Sequence, residues 1–274
     1  MISNQIIQEA LVRLKRSGKR HIYLSEASKS HIKNINLEDK NDIKAELVSE
    51  ENEGESLEPN IKINSLQLTK DIKSDNIILL KEALSSLYPN DKLLFGMGSL
   101  NPKIVFLSEY PSTEEFQNNS LCVGKANELM EKILKAMGVD QEDVYFTSII
   151  KSKSLSNALL QKGINCSESK ENELFIEYLK KELSLINPAI IISLGELAYT
   201  LLVDRSLGVN EFNETRGQLY KFSGYPVLST FNPSYLLLKD SIETKRLFWE
   251  DLLMVMKELN IEISEKQKNY FKKQ

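Results

Sequence analysis

The side chains able to do chemistry in this 274-residue chain are few, and they are unevenly placed. Both histidines, His21 and His31, lie near the N-terminus, so any catalysis farther along works without imidazole. The two cysteines, Cys122 and Cys166, are too few for a four-thiolate metal or cluster site and give no disulfide framework. A cysteine nucleophile would also want a nearby histidine or other cation to hold its thiolate, and no histidine follows residue 31. What remains is a set of polar residues that end four short apolar runs: Glu109 and Tyr110; Ser148, Lys151 and Lys153; Gly195; and Asn232, Ser234 and Tyr235. Chemistry at these positions has to rest on carboxylate, amide, hydroxyl and ammonium groups.

The runs that carry them read as β-strands over 103–107, 144–150, 189–194 and 226–230, and 189–194 is nearly continuously apolar. Continuous apolar strands are expected where helices cover both faces of a parallel sheet. Amphipathic helices are predicted over 77–87, 123–137, 171–185, 196–202 and 244–259. This alternation predicts an α/β fold, a three-layer α/β/α sandwich around a central, mainly parallel four-stranded sheet. In such sheets the ligand site lies at the carboxyl ends of the strands, so the four loops should converge into one cleft.

An apolar share of 41% with 27% charged residues is ordinary for a soluble globular protein. No apolar run reaches the roughly 18 to 20 residues of a membrane span, and the first residues lack a signal-peptide pattern. The expected location is the cytoplasm, with no membrane contact. The net charge of −4 is concentrated between Asn36 and Asn60, where nine acidic residues face two lysines; the rest of the chain carries about +3, which permits a DNA-binding face. Four segments are expected. Residues 1–35 form an amphipathic helical segment with a basic cluster from Arg13 to His21, 36–75 an acidic linker, 76–262 the α/β domain and 263–274 a basic tail. No Gly-x-Gly-x-x-Gly or Walker-type loop follows a strand, which disfavours a nucleotide-binding protein of that kind.

Six short stretches, in order, carry a resemblance: Ser108-Glu109-Tyr110-Pro111-Ser112, Leu121-Cys122-Val123-Gly124, Thr147-Ser148-Ile149-Ile150-Lys151, Ser193-Leu194-Gly195, Arg216-Gly217 and Asn232-Pro233-Ser234, followed by Trp249-Glu250-Asp251. Together they make residues 93–259 resemble the iron-sulfur type of uracil-DNA glycosylase, a base-excision repair enzyme that turns a nucleotide out of DNA into a pocket. The resemblance implies a hydrolase cleaving the N-glycosidic bond of uracil or another deaminated base. Glu109 would orient water and Asn232 would contact the departing base, in place of the family's histidine. Tyr110, Cys122 and Ser148 would form the base pocket, with Cys122 where the family stacks Phe and Ser148 where it reads the base with Asn. Lys151, Lys153 and Arg216 would hold phosphates, or simply be solvated, and Pro233, Ser234 and Tyr235 would face the minor groove.

Ser152 and Phe175 fall where two cluster cysteines of the family would lie, and no cysteine precedes Leu93, so no iron-sulfur cluster, metal or other cofactor is expected. Cys122 in place of Phe removes a stacking platform worth about 1 to 3 kcal/mol per base. Uracil excision is therefore expected to be weak or redirected. The alternative is a catalytically inactive accessory protein that keeps the DNA groove and meets a protein partner through its N-terminal helix and acidic linker. A monomer is expected in either case.

Overall fold

The computed structural model describes residues 60–162, 170–202 and 212–272, which fall within one compact unit, Leu57–Gln274. The helix expected within 1–35, residues 36–59 of the acidic linker and Cys166 lie outside the described residues. The remainder of the expected linker, 60–75, is helical, because the first helix, α1, runs over Asn60–Leu87.

The sheet has six strands rather than four. Its order is β1-β3-β2-β4-β6-β5, from β1 (Met97–Gly98), β2 (Ile104–Ser108), β3 (Val144–Ser148), β4 (Ile190–Leu194), β5 (Leu219–Phe222) and β6 (Tyr225–Thr230). The four predicted strands are the central, parallel ones. The two missed strands are antiparallel edges, β1 on β3 and β5 on β6. The β5–β6 hairpin turns at Ser223-Gly224, both at positive φ (50° and 90°), a turn that the Ser-Gly dipeptide signals locally.

The ten helices among the described residues are α1, α2 (Thr113–Asn118), α3 (Gly124–Met137), α4 (Lys153–Lys162), α5 (Lys170–Ile186), α6 (Glu196–Leu202), α7 (Phe212–Thr215), α8 (Pro233–Lys239), α9 (Ile242–Glu258) and α10 (Glu265–Lys268). Side-chain alternation along the central strands divides the core in two. Ile104, Phe106, Ile190 and Ile192 pack against Met130 and Leu134 of α3 and Leu252 and Val255 of α9. Val105, Leu107, Ile191 and Val227 pack on the other face against Leu84 of α1 and Phe175, Leu179 and Leu183 of α5. The three-layer α/β/α expectation is met, and no helix among the described residues is long and apolar enough to cross a membrane.

After β2 the chain moves to β3 on one side, then crosses back to β4 on the other. A doubly wound sheet opens a crevice where successive connections diverge, here between the carboxyl ends of β2 and β4. Ser108 is paired with Leu194 across that point, so the residues that follow them, Glu109 and Gly195, face each other there.

Candidate active site

Glu109 continues β2 by one residue, and its carbonyl accepts the N–H of Ile150 at 2.9 Å. Gly195 takes φ +93°, and a Cβ built there would come 3.3 Å from Glu109 Oε2. Only a residue without a side chain allows the carboxylate to lie against that backbone. Oε2 is itself shut off from solvent and has no hydrogen-bond partner. Desolvation raises the Glu109 carboxyl from 4.5 to about 7, with the Glu115 charge adding to it, while its own backbone N–H and the Asn232 amide act to lower it. A carboxyl poised near neutrality can exchange a proton with water at physiological pH.

Asn232 is the N-cap of α8, its Oδ1 accepting the N–H of Ser234 at 2.9 Å, with Pro233 at the helix start. The cap fixes the amide beside Glu109. Glu115 closes the opposite side. Its Oε2 accepts the N–H of Ser112 at 2.7 Å in a capping box that starts α2, while its Oε1 accepts the N–H of Cys122 at 2.6 Å. One carboxylate thereby ties together the two loops that flank the crevice. Cys122 sits at φ +53°, and burial, with the Glu115 and Glu131 charges, pushes its thiol up to about 12, so it is a poor nucleophile.

These groups line a cavity of about 960 Å³ that holds Glu109, Tyr110, Cys122 and Asn232 together, with Pro233, Ser234 and Tyr235 along its edge. Thr147, from the third of the stretches that carry the resemblance, also lines it, as do Phe146, Glu114, Glu115, Lys125, Leu237 and Leu238, to which the sequence alone assigns no role. Phe146 stacks on Phe106 at 5.4 Å and supplies an aromatic surface that the loss of Phe at position 122 had left unaccounted for. Alternation along β3 places it on the same sheet face as Phe106, a signal already present in the strand pattern.

Three expected site residues direct their polar atoms to other protein groups and stand outside the cavity wall. Ser148 is fully buried, donates to the Ile150 carbonyl at 2.9 Å and is not part of the cavity wall. Lys151 is also fully buried, so it reaches no phosphate. Its ammonium pairs with Glu182 at 3.1 Å, donates to Thr147 Oγ1 and the Ser148 carbonyl, and lies 5.0 Å from the centre of the Tyr178 ring. Arg216 directs one guanidinium nitrogen to both oxygens of Asp251 at 2.7 Å and to the Leu247 carbonyl, in a largely buried pair. At Gly217, φ +72°, an added Cβ would stand 2.5 Å from Asp251 Oδ1, so the Arg-Gly pair serves to seat this ion pair. Lys153 is half-buried at the start of α4 and outside the cavity wall.

Ser152 and Phe175, set by the resemblance at cluster positions, have other contacts in this structure. Phe175 is fully buried and stacks on Tyr88 at 5.3 Å. The Ser152 hydroxyl donates to Asp91 Oδ2, which also receives the Ser154 hydroxyl at 2.6 Å. Residues 88–91, 152–154 and Phe175 are thus joined by a ring stack and a carboxylate–hydroxyl network, and no cysteine stands among them. No group of three or more His, Cys, Asp or Glu able to hold a metal ion occurs among the described residues.

The chain is 29% identical over 184 residues to the type-4 uracil-DNA glycosylase of Thermotoga maritima, covering 66% of this chain and 84% of that protein. It is 25% identical over 152 residues to the type-4 uracil-DNA glycosylase of Archaeoglobus fulgidus, covering 54% of this chain and 73% of that one. A DNA polymerase of Bacillus phage SP01 is 31% identical over 149 residues, 54% of this chain but 15% of the polymerase. Residues 95–253, which run from just before β1 into α9 and include every wall of the cavity, match the family model of the uracil DNA glycosylase superfamily, and the chain belongs to that superfamily.

Proposed function

We propose that the protein is a DNA glycosylase of base-excision repair, acting in the cytoplasm, which hydrolyses the N-glycosidic bond of uracil or another deaminated base and is weakened toward uracil. The Glu109 carboxylate at the β2–β4 crevice, held beside Asn232 with its Oε2 shut off from solvent and without a hydrogen-bond donor, carries this reading. A nucleotide turned out of the stack would enter the cavity between Tyr110, Phe146 and Cys122. Glu109 would take a proton from the attacking water, and the Asn232 amide would donate to the departing base. Asn232 cannot carry a positive charge, and a neutral donor holds a departing anion about half as strongly as a charged one, so uracil release is slowed. The chain is inferred to hold no iron-sulfur cluster, because Ser152 and Phe175 stand at two of the ligand positions and engage Asp91 and Tyr88 instead. The deciding experiment is single-turnover base release from oligonucleotides carrying uracil, hypoxanthine or xanthine. Binding to all of them with release of none would instead support the inactive accessory reading.

The rate of base release should rise with pH through about 7 and then level, because only ionised Glu109 accepts the water proton. Stability should run the other way. Between 4.5 and about 7 the folded protein keeps a proton that the unfolded chain has lost, so the stability contributed by neutral Glu109 is present below 4.5 and is gone by about 7. Denaturation midpoints measured on both sides of that window should differ in the wild type and converge in Glu109→Gln.

Beside the cavity, α8 exposes Leu238 (82%), Leu237 (42%) and Tyr235 (39%), while Leu236 on its other side is buried. Apolar side chains at the mouth of such a pocket suit insertion between bases. Leu238→Asp should weaken binding to duplex DNA in a titration and leave stability within about 0.5 kcal/mol of wild type.

A further inference from the structure

The charges around the cavity restrict which base can leave from it. Four of its lining side chains are carboxylates, Glu109, Glu114, Glu115 and Glu128, against one ammonium, Lys125, and neither histidine nor arginine is among them. Cationic donors are as scarce, because the other donors of the wall are neutral hydroxyls, an amide and backbone N–H groups. The Thr147 hydroxyl donates to Glu182 behind the wall, the Cys122 N–H is held by Glu115, and Asn232 offers a neutral amide whose oxygen is committed to Ser234. Negative side chains are in excess, and Glu109 Oε2 is buried with no donor to meet it. A buried carboxylate oxygen without a donor is costly, and a ligand bringing positive charge relieves that cost.

Cleavage of a neutral base such as uracil expels an anion, whose charge these carboxylates oppose. A base that is cationic before cleavage is attracted by the same field and departs neutral. The aromatic surfaces of Tyr110 and Phe146 in the wall also favour a flat cation. We propose, on the glycosylase reading of this site, that the preferred substrate is a cationic, ring-alkylated base in DNA. In the reaction, the oxygen of water bonds to the anomeric carbon of the sugar and the bond from that carbon to the base nitrogen breaks. The released electron pair passes into the base ring and cancels its positive charge. The proton lost by water goes to the Glu109 carboxylate, so water is the only co-reactant. The elevated Glu109 pKa supports this role, since a carboxylate of ordinary acidity would hold that proton poorly at neutral pH.

The test is single-turnover release by the full chain from matched duplexes that carry either guanine methylated on its imidazole ring or uracil, each corrected for spontaneous loss without protein. The methylated guanine should be released faster than uracil by on the order of tenfold or more, and Glu109→Gln, which keeps the side chain's shape, should abolish the difference. Asn232→His, which restores a chargeable donor, should move the ratio toward uracil by a similar factor. Uracil released as fast as or faster than methylated guanine overturns the proposal and leaves the glycosylase reading standing. Release of neither base overturns both.

Discussion

Glu109→Gln should lower the single-turnover rate of base release by about 10²- to 10⁴-fold, the range that a positioned general base supplies. Glutamine has nearly the same shape and can keep the contact with Asn232, but it cannot take a proton from water. The cavity should survive, because Oε2 lies against Gly195, where an amide fits as a carboxylate does. Binding to the same oligonucleotides should therefore change little. Stability at neutral pH should hold or rise, since the variant no longer buries a group that ionises near 7. A variant with wild-type release would remove Glu109 from the mechanism, and one with wild-type release and weakened DNA binding would make it a substrate contact only.

The second large effect is on folding. Lys151→Met should destabilise the protein by about 3 to 5 kcal/mol, because Glu182 would be left fully buried without its cation. Glu182 also accepts the hydroxyls of Tyr145 and Thr147, at 2.9 and 3.0 Å, so it cannot turn away to solvent. The double variant Lys151→Met/Glu182→Leu should recover much of that loss, since replacing both charges by apolar groups is often close to neutral. Chemical denaturation of the two variants decides the matter. A Lys151→Met protein of wild-type stability but weakened DNA affinity would mean that the ammonium faces phosphate, against its position in the core.

The contrast between Glu109 and Lys151 shows what the sequence could convey. Strand ends were legible because long apolar runs stop where the chain leaves the sheet, and this placed Glu109, Gly195 and Asn232 on one edge. The partners of the basic residues were not legible. Lys151 meets Glu182 from α5, and Arg216 meets Asp251 from α9, each more than thirty residues away, so neither charge announces from its neighbours that it is spoken for. Ser148 was misplaced for a related reason: its hydroxyl is satisfied two residues on, by the Ile150 carbonyl, within its own loop. The edge strands β1 and β5 are only two and four residues long, too short for an alternation of apolar and polar residues to show. Phe146 is legible from strand alternation, which sets it beside Phe106, whereas the motif directs attention to position 122 for the stacking ring.

The ring stack of Tyr88 on Phe175 and the grip of Asp91 on Ser152 and Ser154 join α1, the loop after β3 and α5. If, as proposed, this junction stands in place of a cluster, it forms from the polypeptide alone and has no oxidation state to lose, so base release by the chain should not respond to iron supply or to mild oxidants.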